Sequence, residues 1–242
     1  MNKGKYVFSQ VMTYFPRWVF EAAVEKYNGD FHAKNLNSYS HCLHLMFGQM
    51  AGCKSLKDIT LVLRSIKKAA YHLGIPVVVD PSSLSKANEV RDYRIFEELG
   101  MWLIRKVRPM YAKKTSPTCI FPVGRSLQLT PQPSLAASSW LNGPWASTRR
   151  EVLRCIWIKG NLTIKAFWGY SENAVKIHLW VAISTYLMLA WVKAALKSPL
   201  TITEVSKVVE ASLLTKTDIR VLLDVPAPLA QNQNVNELEL NF

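Results

Sequence analysis

The sequence predicts a mainly α protein: an N-terminal helical domain, an irregular linker, and a C-terminal set of helices. Three observations predict it. Apolar residues recur at helical spacing behind capping residues at both ends of the chain. From Lys113 to Trp145 that pattern gives way to prolines, Ser and Thr, with no acidic residue. The excess of Lys and Arg continues on both sides of this break, so both sides read as folded protein rather than as one domain with a basic tail. The corresponding bounds are 1–112 for the helical domain, 113–149 for the linker, 150–225 for the C-terminal helices and 226–242 for a tail.

Residues 8–27 form the first expected helix, with Val11, Phe15, Val19, Phe20 and Val24 on one side and Pro16 able to split off the first turn. Asn28-Gly29-Asp30 stops it. Ser38 or Ser40 caps a second helix over about 40–51, and Ser55 a third, with Asp58 three residues on. The basic run Arg64 to Lys68 and the turn at Gly74 and Pro76 follow. Ser82 or Ser83 then caps a short polar helix. A longer helix from about Tyr93 to Val107 presents Ile95, Phe96, Leu99, Trp102, Leu103 and Ile104 as one apolar face.

Within the linker, Cys119–Val123 and Leu127–Leu129 are short apolar pieces with no readable strand order. Periodicity resumes near Arg150. Ser171 is an N-cap candidate for a long helix reaching about Leu196, apolar nearly all round and so expected in the middle of a core. Its apolar stretch from Leu179 to Val192 is too short to span a bilayer. Thr201 or Thr203 caps a helix over 203–214, and a shorter one covers Thr217–Leu223.

About half of the 242 residues are apolar, enough for a sizeable core. Thirty Lys and Arg face seventeen Asp and Glu, a formal charge of +13. Residues 1–110 contribute +7 of it and the rest +6. This favours a polyanionic partner, double-stranded DNA first. The four cysteines have no close-paired metal spacing, and reduced thiols in a cytoplasmic protein are expected. The start MNKGKYVFSQVMTYF, interrupted by Pro16, Arg17 and Glu21, does not read as a signal peptide, and no membrane partner is expected.

The helix over 55–64, the basic connector and the helix over 82–90 read as a helix-turn-helix-like unit, although the connector exceeds the usual three or four residues. Ser82, Ser83, Ser85, Lys86, Asn88 and Arg91 on the second helix, with Arg64, Lys67 and Lys68 on the connector, are the candidate DNA contacts. Short polar and basic groups reach phosphates, and Asn or Arg can pair with base edges. A helix N-terminus also favours a phosphate. The competing reading is an ordinary solvated helix of a small bundle. His41 and His44 share a helix face, but with no evident third ligand they do not make a zinc site.

The segments MNKGKYVFSQV, FGQMAGCKSLKDI, YHLGI and LSKANEVRDYRIFEELG in residues 1–103 resemble the N-terminal region of bacterial insertion-sequence transposases of the DDE class, Bacteroides-type. The run WIKGNLTIKAFWGYSENAVKIHLWVAISTYLM and the helices after it, to about residue 224, resemble the C-terminal end of the same proteins. The resemblance implies a DNA-binding domain followed by a catalytic domain of ribonuclease-H-like fold, here truncated. It also implies binding to the inverted repeats of a mobile element, with two Mg²⁺ held by two aspartates and a glutamate.

This chain departs from that pattern. No aspartate lies between Asp92 and Asp218. The family's signature lysine matches Lys159, but its glutamate falls at Val152, its arginine at Thr148 and its tyrosine at Trp145. Glu151 sits one place off, and on a helix one residue turns a side chain by about 100°. A lone carboxylate cannot hold two metal ions. The expectation is therefore a DNA-binding protein without catalytic activity and with no metal cofactor. It would act alone, as a homo-oligomer, or with a full-length transposase that it regulates or inhibits. The competing outcome is a pseudogene product, whose long apolar helix would be exposed and prone to aggregate.

Overall fold

The computed structural model describes residues 4–31, 33–112 and 167–224, and among them the protein is helical, with no strand. The elements are α1 (Val7–Met12), α2 (Arg17–Lys26), α3 (Ser38–Met50), α4 (Leu56–Ser65), α5 (Lys67–Ala70) with a 3₁₀ turn at Tyr71–Leu73, α6 (Pro81–Val90), α7 (Arg94–Ala112), α8 (Glu172–Leu196), α9 (Ile202–Ser212) and α10 (Ile219–Leu222). The linker 113–149, the tail 226–242 and the helix expected from Arg150 lie outside the described residues. So do Glu151 and Lys159.

Local chemistry sets most of the boundaries. Pro16 stands at the N-cap of α2, and the first expected helix is two helices, because proline has no N–H to continue the ladder from α1. The hydroxyl of Ser55 accepts from the amide of Asp58 at 3.1 Å, starting α4. Ser171 starts α8 in the same way, accepting from the Ala174 amide at 3.2 Å. Thr201 and Glu204 form a reciprocal capping box on α9. Two caps differ from expectation. Asn37, not Ser38 or Ser40, caps α3, its side chain accepting from the Ser40 amide at 2.7 Å. Asp80, not Ser82 or Ser83, is the N-cap residue of α6, because Pro81 takes the first helical position, where its fixed φ fits and no N–H is missed.

The centre of the molecule is α8, about 37 Å long at 1.5 Å per residue. Every residue from Trp180 to Ala190 is buried. It packs most extensively on α7, then on α3, with further contacts to α6 and α9, while α2 packs on α7. Gly100 lets α7 and α8 meet: a Cβ there would sit 2.5 Å from the ring of Trp180. The Tyr111 hydroxyl donates to the Ala190 carbonyl at 2.7 Å, fixing the far end of the same contact.

Helices before and after the linker share one apolar core, which runs from Val7 to Leu223. The apolar helix expected to be exposed in a degenerate product is covered, because α3, α6, α7 and α9 supply the surface it needs. At 25 residues α8 is also longer than the fourteen-residue stretch read from the sequence, long and apolar enough to cross a membrane by length and composition. Its burial against four neighbouring helices accounts for that hydropathy.

Two amides lock the halves together. Gln10, fully buried on α1, donates to the carbonyls of Lys5 (2.9 Å) and Thr217 (2.8 Å) and accepts from the Ile219 amide (2.9 Å). Asn173, in the first turn of α8, donates to the carbonyls of Asn88 (2.9 Å), Glu89 (3.3 Å) and Arg91 and accepts from the Tyr93 amide (3.3 Å). That side chain satisfies carbonyls at the end of α6 which the helix itself leaves unpaired.

Candidate nucleic-acid interface

The sequence-predicted unit is α4, the connector and α6, and α4 and α6 do pack together. The connector is α5 and the 3₁₀ turn, closed by Gly74 at φ 82°, a left-handed conformation open to glycine. Buried Leu73, Ile75 and Val79 anchor it to the core. It is a folded element longer than a simple turn, with Lys67 and Lys68 at the start of α5.

The outer face of α6 carries Ser82, Ser83, Lys86, Glu89 and Val90, all exposed, with Ser85 half-buried beside them. Arg64 is exposed at the end of α4 and forms an ion pair with Asp80. This pair ties the end of α4 to the start of α6. It also places a carboxylate at the helix N-terminus where a phosphate was expected, so a phosphate arriving there meets Asp80 first. Lys86 and the hydroxyls of Ser82 and Ser83 remain open to a ligand.

Asn88 and Arg91 are corrections, for neither is presented to solvent. Asn88 is 1% exposed, and its Oδ1 accepts from His41 Nε2 at 2.8 Å. Arg91 is 8% exposed and donates to the carbonyls of Gly29 (3.3 Å) and Leu36. Burial lowers the Arg91 pKa, with Asp30 acting in opposition. Both side chains hold α6 to α3 and to the loop after α2, because buried polar groups must find hydrogen-bond partners inside the protein.

The buried histidines belong to the same internal network. The His44 Nδ1–H donates to the Ser40 carbonyl at 2.7 Å. His178 stacks on Trp168, ring centroids 4.0 Å apart and 9° from parallel, with Nε2 3.4 Å from Gln49 Oε1. Burial drives the pKa of His41 and His44 down and that of His178 to about 4, so all three are neutral at neutral pH.

Among the described residues no group of three or more His, Cys, Asp or Glu is placed to hold a metal ion. The carboxylates there have other work: Asp92 pairs with Arg94, Glu98 with Lys26, and Glu172 with Lys176. The described residues thus do not fit a two-Mg²⁺ centre, and no catalytic step is built on one.

Sequence reading did not single out the surface that α2, α7 and α8 share. Trp102 was assigned to a buried face, yet its ring is half-exposed and meets Trp18 and Trp191. The three residues are far apart in the chain, so no local pattern joins them.

Residues 3–76 match the family described as "Domain of unknown function (DUF4372)". No curated protein and no solved structure matches the chain.

Proposed function

We propose that this chain is a transposase-derived DNA-binding protein of the DDE insertion-sequence class. In this reading it engages the inverted repeats of a mobile element in the cytoplasm without cutting or joining strands. The observation that carries the reading is the match over residues 3–76, a domain that occurs in transposase-like proteins. It overlaps three of the four N-terminal segments on which the sequence resemblance rests, the fourth, from Leu84 to Gly100, lying beyond it. The charge of +13 supports a polyanionic partner.

The exposed side of α6, with Ser82, Ser83 and Lys86, flanked by Arg64 and the α5 lysines Lys67 and Lys68, is the proposed duplex contact. Loss of strand transfer follows from the sequence. The stretch between Asp92 and Asp218 has no aspartate, so the two aspartates that the resemblance implies for a two-metal phosphoryl-transfer centre have no counterpart there. A regulator that occupies element ends, alone or mixed with a full-length transposase, is the corresponding biological role.

The test is a titration of the full chain against duplexes carrying its flanking genomic inverted repeats, with and without Mg²⁺. The reading expects salt-dependent, repeat-preferring binding and uncut DNA. Mg²⁺-dependent nicking, or equal affinity for scrambled duplex, would overturn it.

A further inference from the structure

We infer that the face shared by α2, α7 and α8 is a stacking platform for single-stranded nucleic acid. The inference extends the DNA-binding reading above, but to a different surface and a different form of the ligand. Trp18 on α2 is 67% exposed, and its ring stands edge-on to Trp102 of α7 with centroids 5.8 Å apart. Trp102 lies 5.9 Å from Trp191 of α8 at a 52° tilt. Tyr14, just before α2, completes the row, edge-on to Trp191 at 5.7 Å. Four rings from distant parts of the chain thus form one continuous aromatic row, only part of which the fold buries.

Cations flank the row. The Lys106 ammonium lies 5.5 Å from the centroid of the Trp191 ring. Arg105 is exposed one turn along α7 from Trp102, and Arg108 is exposed beyond it. Neither arginine makes an ion pair among the described residues. Of the nearby acids, Glu21 is paired with Arg17 and Glu98 with Lys26, Arg105 acting on Glu98 only through space.

Open aromatic rings beside unpaired cations fit a strand that offers both base faces and phosphates. A duplex keeps its base faces stacked inside. A second copy of this chain would bring another +13 charge against the same cations. Single-stranded nucleic acid is the partner that satisfies both halves of the surface.

The experiment measures anisotropy of fluorescein-labelled dT20 with the full chain, its Trp18→Ala and Trp18→Phe variants, and the double variant Arg105→Glu with Lys106→Glu. Trp18 is mostly exposed, so its variants are expected to melt at the wild-type temperature. Loss of one stacked base in Trp18→Ala weakens dT20 binding roughly five- to hundredfold, while Trp18→Phe, which keeps a ring, stays within about threefold. The double charge variant binds more weakly and lowers the slope of log affinity against log salt by about 1.4.

Inverted-repeat duplex binding by Trp18→Ala stays at the wild-type level, so failure of the duplex reading and failure of this one are seen separately. Absence of dT20 binding overturns the inference, as does equal binding by Trp18→Ala or equal displacement of both proteins by heparin. Self-association that Trp18→Ala abolishes, without dT20 affinity, overturns it too and assigns the face to a second copy.

Discussion

Gln10→Ala is the sharpest probe of whether the two ends of this protein form one core. The side chain is 1% exposed and joins the N-terminal segment to Thr217 and Ile219 through two hydrogen bonds of 2.8 and 2.9 Å, with a third to Lys5 at 2.9 Å. Alanine leaves the carbonyls of Lys5 and Thr217 and the amide of Ile219 without that partner. A stranded buried polar group costs about 1–3 kcal/mol. Local rearrangement recovers part of this, leaving a loss of about 3–5 kcal/mol. For a chain of this size each kcal/mol moves the melting temperature by about 2–4 °C, so the midpoint falls by about 6–20 °C. Thermal and urea unfolding followed by circular dichroism read the change. Limited proteolysis adds a location: cleavage is expected to rise first in α9 and α10. A variant within 1 kcal/mol of wild type, with α9 and α10 as resistant as before, would mean that the Gln10 side chain does not hold the C-terminal helices on α1 and would leave that role to the backbone bonds from Val7 to Thr215 and from Phe8 to Leu213.

Two further outcomes follow from the same structure. Lys86→Glu reverses a charge on the exposed side of α6 without touching the core. It should weaken duplex binding at least severalfold and reduce its salt dependence by about one unit, as electrophoretic shifts across a salt series can show. Unchanged affinity and slope would remove α6 from the interface. Acidification should destabilise the protein through His178. Its folded pKa, about 4, lies below the ordinary histidine value near 6.5, so the unfolded chain takes up the proton first. The neutral-state stability is present above about pH 6.5 and is lost as the pH falls towards 4, by about 3 kcal/mol for this group alone. His178→Phe keeps a ring on Trp168 and removes the titration, so its urea midpoint should vary less between pH 7 and 4. Parallel wild-type and variant curves would refute the assignment.

Where a signal was local, the sequence carried it. The Ser171 cap, the Thr201–Glu204 box and the break at Pro16 depend on residues within one or two turns, and the structure places each of them. Asp80 could have been read as the cap of α6 from the proline after it, since Pro81 favours the first helical position. Asn88 and Arg91 were misplaced for a different reason. Their polarity suggested solvent, but their partners are His41, Gly29 and Leu36, 47 to 62 positions away in the chain. No helical period announces such a contact. The aromatic row is hidden in the same way, because Tyr14, Trp18, Trp102 and Trp191 converge only once α2, α7 and α8 have packed.

That packing bears on any attempt to isolate the DNA-binding part. The break in composition after residue 112 invites a fragment of residues 1–112, yet the fold argues that such a fragment lacks its largest internal surface. On α7 the stripe through Gly100, Leu103, Val107 and Tyr111 faces α8, fixed at its ends by Trp180 and Ala190. On α3, Gln49 meets His178, and Leu45 is buried one turn before it. Exposing Leu45, Leu103 and Val107 alone would cost about 5–9 kcal/mol at 1.5–3 kcal/mol for each fully buried side chain. A typical domain has about 5–15 kcal/mol in total. Removing Asn173 would also free the end of α6, the helix proposed to meet DNA. The fragment is therefore expected to lack a cooperative melt and to bind hydrophobic dyes, with duplex affinity reduced to a weak, charge-driven remainder. Adding a separately made fragment of residues 167–224 should restore helicity and a sharp transition if α8 is the missing surface. A fragment of 1–112 that melts cooperatively within a few degrees of the whole chain would show that α3, α6 and α7 find their cover without α8.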